Sequence, residues 1–409
     1  MKASSLKVIS FFRKRKGTRI LWCYFVIALL APFIAGRSPL LVLLNGQLHF
    51  PAFSRAAYIA LKPQETPQRI NTIDWRSLPA SVCILPPVCY DPDQIDPLNS
   101  NFASPFETQY ERTASGKKVT LPWRYRHWLG TTRTGQDVLS LLIHGCRTSL
   151  LIGMGAVALS ALIALFAGLI AGYYGDHNLR WRRSSFIAGL IAILPALFYT
   201  RQLVSLSDWR ALNTATVACS LFILLLFLMK KMIAFPLNLF EKNQHRITIP
   251  ADKILTAITS GFIALPRLLL LLTLAAIWKP SILSLILIIG LTTWAEPARI
   301  IRTEILRLRS LSFIEQAKVS GAADWQIIIR HALPNLSSTI RVVFLTGVAA
   351  AILTEAGLTF LGIGLPFNTP SWGILLFEAK RNIQAWWLAV IPGAVLYLLT
   401  RTLFMLSKK

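Results

Sequence analysis

The sequence predicts an all-α polytopic membrane protein, and three observations carry that prediction. Hydrophobic residues make up 54% of the 409 positions and charged residues only 15%, with a mean hydropathy of +0.54. Too few charges remain to cover a soluble domain of this size. Apolar runs near the length of a bilayer crossing recur along the chain, and they add up to about eight transmembrane helices. Lys and Arg cluster at alternate ends of those runs, which places both chain termini in the cytoplasm and one long polar loop outside.

The first 44 residues hold a basic N-terminus and the first span. Arg13, Lys14, Arg15, Lys16 and Arg19 gather around the start of an apolar run from Thr18 to Gly36. The small pair Ala35 and Gly36 could suggest a cleavage site. Pro39 to Leu44 is apolar yet too short to cross again.

Residues 45–128 form the extracytoplasmic loop or subdomain. Leu85-Pro86-Pro87, Asp91-Pro92-Asp93 and Asp96-Pro97 read as turns. Cys83 and Cys89 lie six apart here, and a disulfide or two thiols are both open.

Residues 129–175 start the transmembrane core. Its span, Leu150 to Gly172, carries Gly153, Gly155, Gly168 and Gly172, small residues that let helices approach closely in lipid. Residues 176–250 look like an insertion. Phe186 to Thr200 and Ala215 to Met229 form a hairpin flanked by Arg180, Arg182 and Arg183 on one side and Lys230 and Lys231 on the other. A re-entrant or interfacial hairpin is the alternative. Residues 251–409 supply spans at Ser260 to Trp278, Ile282 to Trp294, Ile340 to Leu361 and Trp386 to Leu406. A cytoplasmic loop over 299–339 opens with Arg299, Arg302, Arg307 and Arg309.

The most informative stretch lies inside that loop. Ser312 and Glu315 have capping-box spacing, which predicts a helix starting at Ser312. Gly321 should end it, since glycine is a poor interior residue and a good cap. A second short helix from about Ala322 should stop at Pro334. Two short helices between apolar spans have the shape of a docking element.

These residues resemble the cytoplasmic coupling loop of permease subunits in ABC importers. The family's Glu-Ala-Ala, Gly and Ile-x-Leu-Pro positions fall on Glu315, Gln316 and Ala317, on Gly321, and on His331, Leu333 and Pro334. Gln316 and His331 depart from the usual Ala and Ile. The flanks match as well: Thr354 to Gly373 is similar to the segment after the loop in dipeptide, oligopeptide and nickel permeases. His127 to Gly153 is similar to the segment that opens their transport domain, with Gln136 in place of the usual Arg. Ala264, Leu265 and Pro266 reproduce a further family tripeptide. The resemblance covers about 126–175 and 251–406 plus the first span, and leaves 45–125 and 176–250 outside it.

The resemblance implies a type I importer core that docks ABC ATPase subunits through the loop 312–334. A second permease subunit would complete the pathway, and an extracytoplasmic substrate-binding protein would deliver the cargo, di- or oligopeptides, in the cell inner membrane. Glu315 would contact the ATPase or cap its own helix, Ala317 would allow close approach, and Gly321 would make the turn.

Other features bound this reading. There is no GxxxxGK[ST], HExxH or GxSxG, and no CxxC among Cys23, Cys83, Cys89, Cys146 and Cys219. The six histidines show no metal-ligand spacing on one helix face. No catalytic residue, metal or cofactor is therefore expected, and the resemblance implies that ATP hydrolysis falls to partner subunits. The net charge of +25 fits cytoplasmic loops facing anionic lipid rather than a nucleic-acid partner. Glu355, within a span, is expected to pair helices or to meet substrate. Glu296 should meet water or Arg299, and Trp372 with Gly373 should form an outer interfacial turn. The alternatives are a nickel or other small-solute permease, an ion-coupled transporter or channel, and a scaffold without transport.

Overall fold

The computed structural model describes residues 2–44, 47–52, 82–112, 117–176, 180–205, 222, 224–228, 230–232 and 246–408. Among these are twelve α-helices and a few three- or four-residue strand pairs. The chain divides into two compact units, Met1–Leu165 with Gly261–Ala298 and Ile329–Lys409, and Phe166–Ser260 with Arg299–Ile328.

Four helices are long and apolar enough to span a membrane: Gly17–Ile34 within α1 (Lys2–Ile34), α2 (Val138–Tyr174), Asp324–Phe360, and α12 (Trp387–Ser407). Two bent pairs bring the number among the described residues to six. One joins α4 (Ala251–Ala264) to α5 (Arg267–Ile277) with an 83° bend, and the other joins α6 (Ile282–Thr293) to α7 (Ala295–Arg309) with a 45° bend. The straight span expected over Ser260 to Trp278 is thus broken. Pro266 has no N–H to give the ladder and disfavours helical geometry at Leu265. Of the expected hairpin, the first run falls in α3 (Arg183–Ser205), whose apolar part Ile187–Thr200 is shorter than a usual crossing. Most of the second run, 215–229, lies outside the described residues.

The first unit is held by an apolar core that includes Ile152, Leu271, Ile288, Ile352, Trp372 and Leu399. Glycines bring its helices together. A Cβ on Gly153 would stand 2.5 Å from Ile352, and one on Gly373 would stand 2.9 Å from the Ala356 carbonyl. In lipid, such close packing replaces the hydrophobic drive that water supplies. Trp372 differs from expectation. It begins α11 (Trp372–Arg381), capped by the Ser371 hydroxyl on the Ile374 N–H, and is fully buried. Its indole donates to the Leu142 carbonyl at 3.0 Å. The indole N–H has a protein acceptor here, so the ring need not seek the membrane interface.

The short apolar segment after the first span becomes β1 (Leu41–Leu44), the middle strand of an antiparallel sheet with β2 (Gln47–His49) and β3 (Val82–Ile84). Cys83 sits on β3 opposite Val42, and the Cys89 thiol donates to the Pro86 carbonyl at 3.4 Å. Of the two alternatives for these cysteines, the structure holds the thiols.

In the second unit, Gly172 near the end of α2 leaves room for Ile305, which would lie 2.8 Å from a Cβ. Asp252 and Arg302 form a two-pronged ion pair, with the second prong at 2.6 Å. The Lys253 N–H donates to Asp176, and β4 (Arg180–Arg182) pairs with β5 (Arg246–Thr248).

Candidate functional site

The expected pair of short helices is present as α8 (Ser312–Val319) and α9 (Asp324–Ile327). The turn between them is a Schellman motif. The Gly321 N–H donates to Lys318 and the Ala322 N–H to Ala317, at 3.0 and 3.1 Å. These bonds satisfy carbonyls that a helix end leaves open. Gly321 has φ +81°, a left-handed conformation that costs an L side chain about 1–2 kcal/mol.

The start of α8 departs from the sequence reading. Leu311 is the extended N-cap residue and Ser312 already lies in the first turn, with no side-chain cap bond. Glu315 is therefore one position too far along to close a capping box. Its carboxylate is exposed, and no described residue donates to it. That removes the role which competed with partner contact. Gln316 is exposed and Ala317 half-buried.

The pair is anchored from one side. Ile314 and Ile327 are buried at 2% and 0% exposure. The Tyr173 hydroxyl donates to Asp324 at 2.8 Å, and the Lys318 ammonium lies 5.5 Å from the Tyr173 ring centre. The other side is bare: Val319 is 90% exposed and Trp325 58%. Large apolar side chains held out at a turn, beside a carboxylate with no partner among the described residues, make a surface suited to a protein partner.

His331, Leu333 and Pro334 follow in a backbone that stays helical from Asp324 to Phe360. Pro334 does not stop the helix. It enters the first turn of α10 (Leu333–Phe360), preceded by a π turn over Ile328–Ala332. The wider turn changes the hydrogen-bond register just before the proline, where the ring would otherwise meet a carbonyl. Asn335 donates to the His331 carbonyl at 2.7 Å.

Glu355 lies on α10 with 0% exposure. Ser149 of α2 donates to one carboxylate oxygen at 2.9 Å and Thr359 to the other at 3.2 Å. One acid thus joins α2 and α10. Glu296 is exposed at the start of α7, as expected for contact with water.

Sequence reasoning missed a second polar cluster. His127 is wholly buried between two carboxylates, with Nδ1 2.9 Å from Asp137 and Nε2 3.3 Å from Asp96. Its ring stacks on Tyr90 at 4.1 Å, and Gln109 bonds both its backbone groups. Asp137 also accepts the Ser140 N–H, which caps α2. Burial alone would lower the His127 pKa, but hydrogen bonds and charge from Asp137 and Asp96 outweigh it and the net shift is upward. For Asp96, burial pushes upward, while bonds from His127, Asn99 and the Leu98 N–H bring the net value down. His127 and Asp137 were visible within the stretch His127 to Gly153, but nothing in the sequence pointed to Asp96 as the third member.

Residues 247–409 match the family described as binding-protein-dependent transport system inner membrane component. The chain is similar to the inner membrane ABC transporter permease protein YejE of Escherichia coli, with 25% identity over 394 residues, 93% of this chain and 87% of the relative. It is 25% identical over 407 residues to the peptidoglycan transport system permease protein YejE of Agrobacterium fabrum, covering 93% and 84%. The dipeptide transport system permease protein DppC of Alkalihalophilus pseudofirmus is 26% identical over 268 residues, covering 65% of this chain and 64% of its own. The YejE alignments reach so far along this chain that they run through much of 45–125 and 176–250, which the sequence resemblance left out. By this evidence residues 247–409 are similar to the inner-membrane permease components of binding-protein-dependent transport systems, in a chain whose described residues hold four to six candidate membrane spans.

Proposed function

We propose that the chain forms half of a translocation pathway for peptides and couples to ABC ATPase subunits through α8, Gly321 and α9. The observation that carries this reading is the α8–α9 surface, where Glu315, Val319 and Trp325 stand exposed on a turn fixed by a Schellman motif. Glu315 supplies a charge-assisted bond to a basic residue of the ATPase, and Val319 and Trp325 fill its groove. Gln316, Ala317, His331, Leu333 and Pro334 shape the same element. A second permease chain completes the pathway, and a substrate-binding protein delivers cargo from outside. Both termini are cytoplasmic, as the basic clusters at Arg13 to Arg19 and at Lys408 and Lys409 favour. Glu355 pairs helices rather than meeting cargo, since its oxygens face hydroxyl donors from the protein itself.

Peptides are the favoured cargo because relatives named as dipeptide permeases match the chain. Peptidoglycan-derived peptides are a second reading, favoured by the 93% coverage against a relative named for peptidoglycan transport. The test is affinity purification of the detergent-solubilised protein, expressed with its neighbours, as wild type, Glu315→Arg and Trp325→Glu. Recovered ATPase activity is then assayed. The wild type should bring down an ATPase and both variants should lose it. Equal recovery from all three would overturn the docking assignment.

A further inference from the structure

We propose that a groove walled by α1, α2, α10 and α12 is a binding site for an anionic phospholipid, one acyl chain in the groove and the phosphate at its cationic end. The groove encloses about 350 Å³, and its lining is apolar except for Thr18. Thr18, Trp22 and Phe25 recur at helical spacing and form one face of α1. Leu150, Phe344 and Leu403 wall it from the other three helices.

The charge lies at one end. Gly17 packs on Leu406 and the Tyr24 hydroxyl donates to the Val395 carbonyl, so α1 and α12 run antiparallel. The part of α1 around Gly17 therefore meets the end of α12, where Lys408 is exposed. Arg13, Lys14, Arg15 and Lys16 precede Gly17 in the sequence, and exposed Arg19 follows Thr18. Arg341, also exposed, lies one turn before Phe344 on the same face of α10. An apolar slot with a cationic mouth is complementary to a phosphate-headed amphiphile.

The full-length protein is purified in mild detergent and titrated separately with phosphatidylglycerol and phosphatidylcholine, and bound lipids are counted by native mass spectrometry. One phosphatidylglycerol should stay bound under activation that strips phosphatidylcholine. Thr18→Trp, at the exposed mouth where it leaves the core intact, should lose that lipid. Arg19→Gln and Arg341→Gln should each lower the preference for the anionic lipid about fivefold. Circular dichroism and melting confirm that the variants fold. Equal retention of both lipids, or retention of phosphatidylglycerol by folded Thr18→Trp, would overturn the site. So would crosslinking of Trp22→Cys in membranes to another protein chain in place of lipid.

Discussion

The Glu355 cluster and the α8–α9 surface both centre on a glutamate, yet they treat it in opposite ways. Glu355 is sealed from solvent, and its oxygens are met by Ser149 and Thr359. Glu315 is exposed with no described donor, next to Val319 and Trp325, which the chain leaves uncovered. A polar group satisfied from within belongs to the architecture, because removing it leaves partners stranded in a dry interior. A polar group left open beside apolar side chains belongs to an interface, because folding alone gives it nothing to hold. Stability measurements and binding measurements should therefore separate the two regions.

The largest effect on stability is expected at Glu355. Glu355→Ala opens a cavity and orphans hydroxyls, for a loss of about 2–4 kcal/mol, seen as a lower melting temperature in detergent. Glu355→Gln keeps an acceptor and should cost less. If Glu355→Ala melted like the wild type, the contrast between the two glutamates would fail.

The His127 cluster should come next, and pH exposes it. His127 has a raised folded pKa, so its charge contributes fully below the ordinary histidine value of about pH 6.5 and is lost as pH climbs through the folded value. Asp96 has a lowered folded pKa, so its contribution is complete above about pH 4 and fades as pH falls through the folded value. The melting temperature should decline on the alkaline side, and His127→Gln should flatten that decline while lowering stability at neutral pH by about 1–3 kcal/mol. An alkaline limb of equal slope in both proteins would remove the charge from the argument.

Gly321→Ala should cost about 1 kcal/mol, through backbone strain alone. Its effect on ATPase recovery should exceed its effect on melting, because the turn sets the angle between α8 and α9. The smallest change in stability, within about 0.5 kcal/mol, is expected for Trp325→Ser, a surface substitution that should still abolish ATPase co-purification. That last pairing, full stability with lost binding, is the outcome that most sharpens the contrast with Glu355.

The sequence showed some of this and hid the rest for physical reasons. Spans are legible because hydropathy is a local property, and the span within α1, from Gly17, and α12, from Trp387, each start one residue from expectation. Gly321 was legible because only glycine enters the left-handed region without penalty. The cap at Ser312 was misplaced by one residue, since Leu311 took the extended conformation that a capping residue needs. Pro334 misled because proline breaks a regular ladder, and the ladder here is not regular. Asp96 stands 31 positions from His127, and no periodicity links a turn residue to a histidine at that distance. Trp372 has the composition of an interfacial turn, and only packing against Leu142 shows it as core.

At Gly321, a Cβ would find nothing within 4 Å, although the backbone sits at φ +81°. The site therefore has room for a side chain and objects only to its handedness. A D-alanine placed there by semisynthesis would meet neither obstacle, and would stiffen the turn that L-alanine strains. Two substituents identical in size and hydrophobicity, differing only as mirror images, should move α8 and α9 in opposite directions of stability.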